Sequence, residues 1–210
     1  MNKTEELHKL RDIAQRDESL PLRDGATQLV FGAGNPESRL FFLGEAPGFH
    51  EDQKGIPFVG RAGQLLDRTL EEIGIPRPTI WISNVVYFRP PANRDPQPEE
   101  IEAFKPYVDK QIEIIDPDII ITLGRFSMGK FLPDVKISQV HGQPKWILFA
   151  GRKRVLIPMY HPAAALRSTA LLQSFNNDFT AIPKVIKKLE KLRSDKGKDS
   201  DPQEQMKLFK

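Results

Sequence analysis

Four apolar runs, separated by segments of helical spacing, constrain the fold of this chain more than any other feature. "SRLFFLGEAPG" (38–48) is an apolar run feeding a glycine turn, which reads as a buried strand ending in a loop. "TIWISNVVYF" (79–88) and "DIIITLG" (118–124) repeat the pattern. "KWILFAGRKRVLIPMYHP" (145–162) reads as a hairpin whose second arm is a fourth buried strand. Between them, "RAGQLLDRTLEEIGI" places Leu65, Leu66, Thr69, Leu70 and Ile73 at helical spacing. "PEEIEAFKPYVDKQIEII" (98–115) is helical, with acidic residues in the first turn where the helix dipole favours them. "RFSMGKFL" is a short helix, and "FTAIPKVIKKLEKLR" closes the domain as an amphipathic one. Strands alternating with helices imply an α/β fold. The expected form is a three-layer α/β/α sandwich around a short, mostly parallel four-stranded sheet, filling residues 1–194.

Sites in such folds lie outside the carboxyl ends of the strands. The segments there are "GEAPG" (44–48), Asn84 and its neighbours, "LGR" (123–125) and "YHPAAALR" (160–167), which should converge on one crevice. The pI of about 9.0 suggests an anionic partner, but the charge is unevenly placed. Residues 184–210 hold nine Lys or Arg against five Asp or Glu, and the rest of the chain holds 22 against 23. Basicity therefore belongs to the tail, and a nucleic-acid reading of the core needs local clusters such as "GRKR" (151–154) or Arg89 with Arg94. There are no cysteines, so disulfides, thiolate zinc sites and cysteine-held iron–sulfur clusters are excluded, and neither metal nor cofactor is expected. The charged N-terminus and the lack of a spanning apolar stretch lead to the expectation of a soluble cytoplasmic protein, and a monomer is expected.

Two loops stand out. "GEAPGFHEDQKGIPFVGRAGQLL" (44–66) carries two carboxylates, Glu45 and Glu51, and an aromatic, Phe58. It does not fit a phosphate loop, because the Lys and Ser or Thr that contact phosphate and metal are missing. "YFRPPANRDPQPEEIEAFKPY" (87–107) has prolines at 90, 91, 96 and 98, so it is poor in backbone donors and must be pinned from outside. Together with "YHPAAALR", and in this order, these motifs resemble the family 4 uracil-DNA glycosylases over about residues 20–192.

The resemblance implies removal of uracil from DNA by base flipping and hydrolysis of the N-glycosidic bond. It assigns Phe58 to stacking on the flipped base, Asn84 to the O4 and N3–H edge of uracil, and His161 to O2 and the leaving anion. Gly44 and Glu45 should line the pocket with their backbone. The aspartate that better-known relatives carry in the first motif is Ala46 here, a departure shared by family 4, so Glu45 and Glu51 are the candidate catalytic carboxylates left nearby, and Glu51 could position water or guard the C5 face against thymine. Leu166 and Arg167 sit where the family inserts a loop into the helix, although Leu166 could instead pack inward as a helix turn. Arg61, Arg89 and Arg94 are candidate phosphate contacts. A related group captures DNA through a histidine, which "FRPPANRDP" lacks.

The family also carries four cysteines around an iron–sulfur cluster; the matching positions here are Asp17, Leu20, Phe88 and Phe104. The expectation is that Leu20, Phe88 and Phe104 form an apolar cluster in place of the metal staple. At the other end, "QMKLF" resembles the bacterial sliding-clamp-binding pentapeptide, with Gln205, Met206, Leu208 and Phe209 as anchors on a flexible tail of residues 195–210. Two alternatives stay open: a non-catalytic uracil- or lesion-binding module, and a glycosylase that prefers hypoxanthine or xanthine.

Overall fold

The computed structural model describes residues 2–195, so the proposed clamp-binding residues 205–209 lie outside the described residues. The chain opens with α1 (Lys3–Arg16), then β1 (Ala33–Gly34) and β2 (Leu40–Gly44). Two helices follow, α2 (Phe49–Lys54) and α3 (Arg61–Glu72), before β3 (Trp81–Asn84). Next come α4 (Pro98–Ile115), β4 (Ile119–Leu123), α5 (Arg125–Gly129) and α6 (Ile137–Val140). The hairpin β5 (Lys145–Phe149) and β6 (Arg152–Met159) leads to α7 (Pro162–Ala165), α8 (Thr169–Phe179) and α9 (Ala181–Asp195).

The strands form one sheet in the order β1-β3-β2-β4-β6-β5. The four expected strands, β3, β2, β4 and β6, are its parallel core, and an antiparallel strand is added at each edge. The sheet therefore has six strands rather than four. β5 is the first arm of the expected hairpin. β1 is two residues long, too short to leave a pattern in sequence.

Alternate residues of each core strand face opposite layers, as the pleat requires. Leu40 and Phe42, Ile119 and Ile121, and Val155 and Ile157 pack with Leu66 and Leu70 of α3, Phe175 and Phe179 of α8 and Val185 of α9. Phe41, Leu43, Ile120 and Leu156 pack instead with Leu7 of α1 and Phe104, Val108 and Ile112 of α4. Both faces are covered, which is why these strands read as unbroken apolar runs. One polar network crosses the second layer. Gln111 of α4 donates to the Phe31 carbonyl (2.7 Å) and the Tyr87 hydroxyl (2.8 Å), and accepts from the Trp81 indole N–H (2.9 Å).

The amino ends of the core strands are closed by charge. Asp118 accepts from Arg39 before β2 (2.7 Å), from Arg152 at the start of β6 (2.7 Å) and from Arg193 of α9. Arg154, 2% exposed, pairs with Asp116. Among the described residues, no helix is long and apolar enough to cross a membrane.

Candidate active site

The loops at the carboxyl ends of the core strands enclose a cleft of about 610 Å³. Glu45, Glu51, Phe58, Asn84, His161 and Arg167, drawn from three separate segments, all line it. Ala46 lines it too.

The floor follows from strand register. Gly44 at the end of β2 pairs with Asn84 at the end of β3. A Cβ on Gly44 would stand 2.4 Å from Asn84 Oδ1 and 2.5 Å from the Phe58 ring, so only glycine lets the amide and the ring close against the backbone. Gly44 thus backs the site rather than facing it. Asn84 is 1% exposed, and neither its Oδ1 nor its Nδ2 has a hydrogen-bond partner. A buried polar group left unpaired costs about 1–3 kcal/mol. This amide holds one donor and one acceptor ready for a complementary edge.

Phe58 adopts a left-handed backbone (φ 55°), a conformation that costs about 1–3 kcal/mol for a residue with a side chain. Its neighbours hold it there. Arg77 donates to the carbonyls of Pro57 and Phe58 (2.9 Å for the latter) and to Asp67 (2.6 Å). Glu51 Oε1 accepts from the backbone N–H of both Val59 and Gly60, each at 2.8 Å. A Cβ on Gly63 would lie 1.9 Å from the Phe58 carbonyl oxygen, so glycine is needed for α3 to run beneath the turn. Glu51 is thus an anchor of the aromatic as well as a carboxylate of the cleft.

His161 caps α7, and its Nδ1 accepts from the Ala163 N–H at 3.1 Å. In the neutral ring the proton is therefore on Nε2. Burial pushes the imidazole down to about 4; Glu51 opposes the shift and Arg167 adds to it. The ring lies 5.7 Å from that of Phe58, centroid to centroid. Glu45 moves the other way: burial, with help from the Asp95 carboxylate, pushes it up to about 7, against the pull of Arg125. Asp95 and Arg125 form an ion pair at the same cleft.

The remaining expected residues are distributed as follows. Leu166 is 38% exposed at the end of α7, beside the cleft-lining Arg167, so it does not pack inward. Arg61 is exposed at the start of α3. Arg89 is tied through Nε to Asn93 Oδ1 (2.7 Å). Arg94 forks onto Glu100 at the start of α4, which also accepts from the Gln97 N–H (2.7 Å), so its charge is already matched. "GRKR" does not reach the cleft: it starts β6 at the opposite end of the sheet, where Arg152 and Arg154 pair with Asp116 and Asp118. The "LGR" segment lies at the crevice, as its place after a strand implies, but the sequence alone assigns no role to Arg125, Asp95 or Arg77. Their signals are contacts between distant segments, invisible to spacing.

Leu20, Phe88 and Phe104 share the second layer, with the two rings 6.1 Å apart and edge to face. Asp17 accepts from Tyr107 (2.5 Å) and Ser19 (2.6 Å), and the Ser19 bond comes first among the causes that hold its carboxyl below the usual range. Two phenyl rings, an isobutyl group and a hydrogen-bonded carboxylate do not fit an iron–sulfur cluster, which is held by thiolates. Among the described residues, no group of three or more His, Asp or Glu could hold a metal ion.

A mostly parallel α/β/α protein whose strand-end cleft offers a ring face, an unpaired amide and a neutral imidazole is built to grip a flat heterocycle bearing carbonyl groups. Comparison makes the class specific. Residues 31–185 match the sequence profile of the uracil DNA glycosylase superfamily. The chain is 40% identical to the type-4 uracil-DNA glycosylase of Sulfurisphaera tokodaii, over 84% of this chain and 83% of that one. It is 42% identical to that of Archaeoglobus fulgidus (77% and 84% covered) and 43% identical to that of Thermotoga maritima (83% and 86%). The chain belongs to the uracil DNA glycosylase superfamily, in its type-4 branch.

Proposed function

We propose that this chain hydrolyses the N-glycosidic bond of uracil in DNA and leaves an abasic site. The observation that carries this reading is the buried, unpartnered amide of Asn84 beside Phe58 and His161. Its Nδ2–H donates to uracil O4 and its Oδ1 accepts from N3–H; cytosine presents the reverse pattern on that edge. The Phe58 ring supports the face of the extruded base. As the C1′–N1 bond breaks, its electron pair passes to the base, and the negative charge gathers at O2. A neutral His161 donates Nε2–H there, stabilising the anion without surrendering its proton. Water adds to C1′ and loses a proton. Glu45, poised near neutrality, is the carboxylate suited to accept that proton and to face the cationic sugar. Glu51 fixes the Phe58 turn and orders the polar side of the cleft.

The test is cleavage of a labelled oligonucleotide carrying one uracil, followed by alkali. The expected result is uracil-dependent scission that Asn84→Ala and His161→Ala each reduce by about 10²-fold or more, the scale of a lost transition-state donor. Selective retardation of uracil-DNA without scission would favour a binding module instead, and stronger cutting at hypoxanthine or xanthine would move the base preference.

The same reading makes the active species a monomer and docks the 205–209 segment, "QMKLF", in the groove of a DNA sliding clamp. The Leu20–Phe88–Phe104 cluster stands in for a metal staple beneath the proline-rich loop.

A further inference from the structure

Phe49 is unexplained by the chemistry above. It is the first residue of α2, directly after Gly48, which lines the cleft as Glu51 does one turn later. Its side chain is 52% exposed, although a phenyl ring ordinarily gains by burial. It is not loose. The Arg89 guanidinium lies 5.2 Å from its ring centroid, and the His50 ring meets it edge-on at 5.5 Å. Arg89 is itself held by Asn93, which lines the cleft and has a left-handed backbone (φ 53°). Two loops distant in sequence thus cooperate to hold one aromatic ring in solvent at the rim of a base-sized cleft.

An exposed ring with a cation on it is what sequence-tolerant binding of a nucleic-acid strand uses: a base stacks on the ring and a phosphate meets the guanidinium. The Asn93 bond occupies Arg89 Nε and leaves the two Nη groups for that phosphate. A single ring beside basic groups is too small for a protein-docking patch. We propose that Phe49, oriented by Arg89, is a stacking platform for the nucleobase adjacent to the extruded nucleotide. The inference rests on the reading of the cleft as a uracil-DNA site. It adds a flanking-nucleotide subsite on the rim formed by α2 and the proline-rich loop, distinct from the Leu166 segment.

The test compares the full-length chain with Phe49→Ala and Phe49→Tyr on single- and double-stranded oligonucleotides in which 2-aminopurine flanks a single uracil. Losing one base–aromatic stack should raise KM roughly 5- to 100-fold. The single-turnover rate at saturation should stay within about twofold, because the ring is not aimed at the scissile bond. Phe49→Tyr should restore KM. Binding should quench the 2-aminopurine with wild type and Phe49→Tyr, and less with Phe49→Ala. An alanine variant with unchanged KM and full quenching would overturn the platform. So would a variant that melts earlier and loses rate and affinity alike, which would mark the ring as structural. If the wild type excises no uracil, the proposed activity falls, and the platform is judged from the fluorescence and affinity of the bound oligonucleotide alone.

Discussion

Glu45 shows how much of this site is set by neighbours that sequence does not reveal. Its place in "GEAPG" marks it as a loop carboxylate at a strand end. Its proton affinity depends on the burial of the cleft and on Asp95, fifty residues away in sequence, with Arg125 pulling the other way. His161 titrates near 4, so a rise in kcat/KM through about pH 7 belongs to Glu45 losing its proton. Asp95→Asn removes the carboxylate that raises Glu45, and the rise should move to lower pH. The same midpoint in the variant and the wild type would count against Glu45 as the group that must ionise. The shift also has a sign for stability. Folded Glu45 keeps its proton where the unfolded chain, near the ordinary 4.5, releases it, so stability falls as pH rises from there to about 7 and then levels off. Asn84 and His161 were legible because each sits in a motif at a strand end, and Phe58 because it lies in the long loop motif that follows β2. The left-handed turn under Phe58 was not, since Arg77 and Glu51 reach it only through folding.

At the level of elements, the proline-rich loop is held where its own backbone offers little. Arg94 on Glu100, Arg89 on Asn93, and Asp95 with Arg125 tie its outside, while Phe88 and Phe104 anchor its ends from beneath. Phe104 is fully buried and also meets the Tyr87 ring at 5.3 Å, so Phe104→Ala should destabilise the protein by about 3–5 kcal/mol. The change is to be read from urea melts, with excision failing only where the fold fails. A loss below about 1 kcal/mol would mean the cluster is not the staple proposed here. The four core strands were readable because both faces are buried and the apolar runs are unbroken. α1 was not, because its sequence is largely polar and only Leu7 and Ala14 are buried. α8 lies just beyond "YHPAAALR" and was masked by the functional reading of Leu166 and Arg167, yet its Phe175 and Phe179 are central to the first layer.

For the whole molecule, the fold separates chemistry from charge clamping. The carboxyl ends of the strands hold the cleft, and the amino ends hold the Asp118 hub that binds Arg39, Arg152 and Arg193. The clamp reading makes a prediction at this scale. Deleting residues 203–210 should leave excision from short oligonucleotides and the thermal midpoint unchanged, while abolishing co-elution with a sliding clamp. Clamp binding that survives the deletion would place the contact elsewhere.

The hub also fixes where the last described helix ends. Arg193, in the last turn of α9, is fastened to Asp118 at the pole opposite the cleft, so α9 ends there. A partner gripping that end would hold the enzyme by its heel. A partner seated on that end of α9 would stand on the far side of the sheet from the mouth and leave it open to a strand.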